Sequence, residues 1–203
     1  MKSLKRTCFL TLALLGAVVG RSPAQITDAT NMVTETRVVV VFSGGYETNP
    51  LDHGRPVTLV AGALNVPAEV FRDAFSRVQP APAGEAPEPG QVRLNKQALL
   101  QSLEPYGVTN ERLDEVSNYY RYNRSRGEWW RHHEAVAYAT VRSGVITGFV
   151  IADPGAGYSS APQISIPGFP DVNAGVSLTF STDFKTNGSI AKVTRVAPEA
   201  AVH

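Results

Sequence analysis

The stretch "PGAGYSSAPQISIPG", residues 154–168, decides how the second half of the chain is built. Its Gly-x-Gly belongs either to a loop that cradles a phosphate or to a turn within a β unit. A dinucleotide fingerprint needs a strand, Gly-x-Gly-x-x-Gly, and then a helix whose N-terminus faces the pyrophosphate. Gly155 and Gly157 do follow an alternating apolar run. Tyr158, two serines and Pro162 come next, however, and the third glycine is absent. The segment therefore reads as a tight β reversal. Its glycines supply positive φ, Tyr158 packs over the turn, and Pro162 fixes the entry to the next strand. No cofactor is expected.

Around this turn the apolar period is two. "EAVAYATVR" from Glu134 alternates, Ser143-Gly144 turns, and "VITGFVIA" alternates again, the pattern of a β-hairpin. Short strands are expected at Gln163–Ile166 and Val176–Phe180, and a last one at Ile190–Val196 after "TNG". "SGVITGFVI" (143–151) and "NGSIAKVTRV" (187–196) share the pattern Ser/Asn-Gly-x-Ile-x-x-apolar-x-apolar. Gly144, Ile146, Phe149, Ile151, Gly155, Gly157, Tyr158, Pro162, Ile164 and Ile166 fit a G-x-[IV]-x-x-[VF]-x-[IV]-x-x-x-G-x-G-Y-x-x-x-P-x-[IV]-x-[IV] pattern. This resembles a β repeat of bacterial surface proteins and phage tail or fibre proteins. A second copy starts at Gly188 and stops before its own G-x-G-Y. The resemblance implies a structural or adhesive module and carries no catalytic residues. The whole chain is also similar to exported bacterial proteins, a likeness that implies no activity.

The first half reads differently. "QITDATNMVTE" (25–35) is a polar leader without a period, and "TRVVVVF" predicts a strand buried on both faces, ended by Gly44-Gly45. After the polar loop "YETNPLDHGRP", Val57, Val60, Ala61 and Leu64 keep helical spacing until Asn65. Pro67 opens a second helix with Val70, Phe71, Ala74, Phe75 and Val78 on one face. Residues 79–90, "QPAPAGEAPEPG", read as a Pro-rich linker. A second helical pair follows: Leu99, Leu100 and Leu103, a stop at Pro105 and Gly107, a cap at Thr109 or Asn110, then Leu113, Val116 and Tyr120. The two pairs look like one αα-hairpin unit used twice. The expectation is an α+β chain: residues 25–134 a mainly helical domain, and 135–203 a C-terminal antiparallel β module.

Residues 1–24 read as a secretory signal peptide. Lys2, Lys5 and Arg6 precede an apolar run from Cys8 to Val19, and Ser22-Pro23-Ala24 offers a cleavage site. The apolar run is too short to span a bilayer, which takes about 20 helical residues, and no transmembrane segment is expected in the mature chain. Cys8 is the sole cysteine and lies at the start of that run rather than after it, unlike a lipoprotein's. A mature chain would then use no disulfide, zinc thiolate or cysteine nucleophile. Four of the 19 basic residues and none of the 18 acids fall in residues 1–24, so removing them turns the net charge from +1 to −3. A weakly acidic, exported chain is no nucleic-acid binder. A periplasmic or extracellular location is expected.

The densest candidate for function is "NYYRYNRSRGEWWRHHE", residues 118–134. Tyr119, Tyr122, Trp129 and Trp130 lie among Arg124, Arg126 and Arg131, and aromatic faces beside arginines suit sugar rings or an anionic polymer. The same residues can instead clamp the last helix onto the sheet. Trp129 and Trp130 are adjacent, so one should face the core and the other should not. A glycan or another surface protein is the partner this segment suggests. The second reading is a metal-assisted hydrolase, in which His132 and Glu134 share a strand face and His53 completes a two-His-one-carboxylate set. The loop residues Glu47, Asp52, His53 and Arg55 can do acid–base work or simply be solvated. Ser43 and Ser159 lack the Gly-x-Ser-x-Gly elbow of an acyl-transfer nucleophile.

Overall fold

The computed structural model describes residues 34–79, 88–123 and 126–196. β1 (Glu35–Ser43) pairs antiparallel with β2 (Val136–Arg142) on one side and with β4 (Gln163–Ser165) on the other. β3 (Val145–Asp153) flanks β2, giving the sheet order β3-β2-β1-β4. The register sets Val38 opposite Ala139 and Phe42 opposite Ile164. One face of this sheet buries Val40, Ala137, Ala139, Val141 and Ile146. The other is open: Val39 and Val41 are exposed. The expected burial of "TRVVVVF" on both faces is thus corrected. A continuous valine run suits a parallel sheet covered on both sides, but β1 lies in an antiparallel sheet that buries only one.

A two-stranded ribbon, β5 (Ala174–Thr179) with β6 (Ser189–Arg195), lies over the buried face. Ile190 and Val193 pack there with Phe42, Phe149, Ile151 and Ile164. Ser143 (φ 49°) and Gly144 (φ 76°) form the hairpin turn between β2 and β3, both left-handed as a two-residue hairpin requires.

Four helices make the other layer: α1 (Val57–Leu64), α2 (Ala68–Ser76), α3 (Pro89–Leu103) and α4 (Asn110–Tyr119). Both hairpins use the same joint. A left-handed residue ends the first helix or its short 3-10 extension, Asn65 (φ 57°) in one and Gly107 (φ 79°) in the other. A buried valine follows, and its N–H returns to the helix: Val66 to the Ala61 carbonyl at 3.0 Å, Val108 to the Leu103 carbonyl at 3.4 Å. These bonds satisfy carbonyls the helix leaves unpaired. Thr109 caps α4 by accepting from the Arg112 N–H at 3.2 Å. Leu59, Val60, Leu64, Phe71, Leu113 and Val116 fill the core between the helices.

Two sequence boundaries move. Pro89 and Gly90, placed at the end of the linker, are the first turn of α3, because proline lacks only an N–H that the first turn leaves unpaired anyway. Residues 80–87 of the linker, the proposed signal peptide and the leader up to residue 33 lie outside the described residues. The division at 134/135 is crossed by β1, which comes from the first half and sits between two strands of the second. All the described residues belong to one compact unit.

Candidate functional site

The joint between the two layers is built on the glycine-containing segment around Gly155 and Gly157. Residues 154–162 do not reverse tightly onto a neighbouring strand, as expected. They leave β3 at one edge of the sheet and reach β4 at the other, passing β2 and β1. The backbone N–H groups of residues 155–160 are all spent within the protein. Gly155 donates to Asp153 Oδ1 (2.9 Å), Ala156 to the His133 carbonyl (2.9 Å) and Gly157 to the Asn187 carbonyl (2.8 Å). Tyr158 donates to the Gly188 carbonyl (2.9 Å), while Ser159 and Ser160 share the Gly45 carbonyl (2.9 and 3.2 Å). A phosphate cradle works by aiming such groups at a ligand. Here the N–H groups around both glycines are already engaged.

Gly157 has to be glycine on two counts. Its φ is 84°, and a Cβ there would lie 2.7 Å from the Arg131 carbonyl oxygen and 2.8 Å from His132 Cα. That close approach lets Trp130, only 1% exposed, donate its indole N–H to the Gly157 carbonyl at 2.9 Å. Beside it, fully buried Asn187 donates to the Leu59 carbonyl and to the Tyr120 hydroxyl, both at 2.7 Å, and accepts from the Ser181 N–H at 3.1 Å. Burial pushes the Tyr120 phenol up to about 12, against the opposing pull of Asn187's hydrogen bond. Among the described residues no buried side-chain polar atom lacks a partner.

In front of this seam lies an open cleft of about 560 Å³. Tyr46, Tyr122 and Trp129 supply its aromatic faces, Glu47 and Glu128 its charges. Tyr46 is the hinge between seam and cleft. Its ring stacks on Tyr158 (5.5 Å, 13°) at the back and meets Trp129 (5.9 Å, 42°) at the front. Burial pushes the Tyr46 phenol up to about 12, helped by Tyr158 and Glu134. The Tyr122 ring lies edge-on to Trp130 at 5.3 Å, and its hydroxyl donates to the Gly54 carbonyl, tying the loop after β1 to the end of the helical layer. Trp129 is 57% exposed.

The two carboxylates are held by local bonds. Glu47 accepts from the Ser160 hydroxyl and from the Gly45 N–H (3.0 Å), and the serine bond is the main reason its carboxyl titrates below the usual range. Glu128 Oε2 accepts from the Asn123 N–H at 2.9 Å, closing the short loop that presents Trp129. No lysine or arginine lines the cleft among the described residues.

The structure divides the residues singled out between 118 and 134. Tyr122 and Trp129 line the cleft, and Trp130 stands behind it as a clamp. Tyr119 belongs elsewhere, stacked on Phe184 (4.0 Å, 7°) with the Arg131 guanidinium 5.1 Å from its ring. Arg126 is exposed but outside the lining, and Arg124 lies outside the described residues. The metal set does not assemble, and no group of three or more His, Cys, Asp or Glu able to hold an ion occurs among the described residues. His53 ends the 3-10 turn Pro50–Asp52, in a different pocket. The His132 ring is 4.7 Å from that of Tyr46, with Nδ1 2.9 Å from the Trp130 carbonyl, and Glu134 borders the open face of β1. The reason is local. Residues 131–135 make a single two-bond bridge through His133 and Ala156 before β2 begins at Val136, whereas the 3-10 turn Pro50–Asp52 holds His53 at a pocket lined by none of residues 131–135.

Comparison with protein-family models, with curated proteins and with solved structures finds no match.

Proposed function

We propose that the protein is an exported, non-enzymatic binding module of the cell surface or periplasm, and that the cleft beside Trp129 takes an uncharged glycan. One observation carries the reading: a 57% exposed tryptophan stands beside Tyr46 over a cleft whose only charges among the described residues are two carboxylates. Aromatic faces bind the apolar C–H faces of sugar rings, and fixed carboxylates accept from sugar hydroxyls. The acidic lining repels a polyanion, so the anionic polymer that the neighbouring arginines suggested is set aside. The signal-like residues 1–24 and the β-repeat likeness of residues 143–166 agree with a surface module. The hydrolase reading is not carried forward, since its three residues stay apart.

Titration calorimetry with neutral oligosaccharides, a sulfated polysaccharide and cationic chitosan fragments tests the ligand. Neutral sugars should bind, and Trp129→Ala should weaken them about tenfold, as the loss of one aromatic anchor does. Sulfated polymer binding as tightly, or Trp129→Ala leaving affinity intact, would overturn the reading. Export is tested by mass spectrometry of the secreted protein, which should begin at Gln25.

A further inference from the structure

On the other side of the Asn49–Pro56 loop lies a second pocket of about 380 Å³, between the 3-10 turn and α2. Asp52, 4% exposed, forms part of its wall, and Arg72 grips it with two bonds: Nε to Oδ1 at 2.5 Å and Nη2 to Oδ2 at 3.1 Å. Both carboxylate oxygens are thereby occupied by one fork.

Arg55 lines the same pocket and is placed differently. Its guanidinium carbon sits 4.0 Å over the Phe75 ring, and burial pulls its pKa down from the ordinary arginine value. Among the described residues its side chain makes one hydrogen bond, from Nη1 to the Asp52 backbone carbonyl at 3.4 Å, and no ion pair. A half-buried cation normally has an anion of its own. Val57, Phe75 and Val78 give the pocket apolar walls, so the space around this cation suits a hydrocarbon body rather than a hydrated ion.

We propose that this pocket binds a small carboxylate with an apolar body, an aryl- or alkyl-carboxylic acid, whose anionic head pairs with the Arg55 guanidinium. The fork donates in-plane N–H bonds to the carboxylate while Phe75 supports its face, and the apolar body lies against Val57 and Val78. The site shares no lining residue with the glycan cleft and does not depend on that reading.

The test uses the full chain and 4-phenylbutyrate, with 4-phenylbutanol as its uncharged match, by titration calorimetry and thermal shift. The acid should bind saturably, and the alcohol about tenfold or more weaker, since a charge-assisted bond is lost. Arg55→Gln should weaken the acid to the level of the alcohol. Arg55→Lys, which keeps charge without the fork, should fall between, and Trp129→Ala should change nothing. Equal binding of acid and alcohol to the parent chain overturns the proposal, as does Arg55→Gln with unchanged affinity or no saturable binding of the acid. If Arg55→Gln fails to fold, the acid and alcohol on the parent chain still decide it.

Discussion

Trp129 and Trp130 share a peptide bond and serve opposite regions. Behind Trp130 the seam is buried: an indole N–H on Gly157, an amide on Leu59 and Tyr120, and the N–H groups of residues 155–160 paired. Around Trp129 the cleft is open, its charged groups among the described residues are carboxylates, and its largest ring faces solvent. The seam removes almost every polar group from water and must therefore pair each one. The cleft leaves Glu47 and Glu128 exposed, where the proposed ligand would reach them. Tyr46 touches both, so the ring that the proposed glycan would meet at the front is fixed from behind.

Substitutions of graded effect separate the two regions. The largest should come from Trp130→Ala, which removes a buried aromatic and its hydrogen bond and should cost about 3–5 kcal/mol in urea unfolding. A loss under 1 kcal/mol would mean the seam is not held there. Gly157→Val should follow at about 2–4 kcal/mol, combining a β-branched residue at positive φ with a clash against residues 131 and 132.

Alkaline pH probes the same seam without mutation. Tyr120 has its folded pKa raised from 10 to about 12, so its contribution is whole below pH 10 and drains away as the pH rises towards 12. The loss is of order 2 kcal/mol at most, and Tyr46, more exposed, adds less. Stability measured between pH 9 and 12 should fall, and fall less in Tyr120→Phe; a flat profile would contradict the burial. The smallest effect belongs to Trp129→Ala, expected within about 0.5 kcal/mol of the parent as for an exposed surface site. Iodide should quench Trp129 in Trp130→Phe and spare Trp130 in Trp129→Phe. Equal quenching would erase the contrast between the two regions.

Local patterns carried much of this into the sequence. The α+β class, four helices and antiparallel strands are legible because each hairpin joint and each alternating run is written within a few residues, as in "LNVP", "YGVTN" and the turn at Ser143-Gly144. The seam and the cleft are not local. Asn187 reads as a turn residue in "TNG", and nothing near it says that Leu59 and Tyr120 will meet it. Tyr46 and Glu47 lie in a polar loop more than seventy residues from the aromatic segment they join. One hint was present: Gly45 precedes Tyr46, and a Cβ there would lie 2.6 Å from the Tyr158 ring. Paired glycines before an aromatic can mark close approach of distant backbone. The valine run misled because β1 sits in an antiparallel sheet with one face open.

The crossover from β3 to β4 also sets an order of events. Its bonds reach back to Gly45 and Glu47, and Asn187 reaches back to Leu59, so the helical layer is sealed by residues made well after it. β1 leaves the ribosome early and finds its first partner only when Val136–Arg142 follows, its second only at Gln163–Ser165. Such long-range closure makes for slow folding and keeps an apolar strand edge unpaired meanwhile. Under the proposed export that delay would be an advantage: until Gln163–Ser165 and Asn187 arrive, the chain has no finished structure to resist passage.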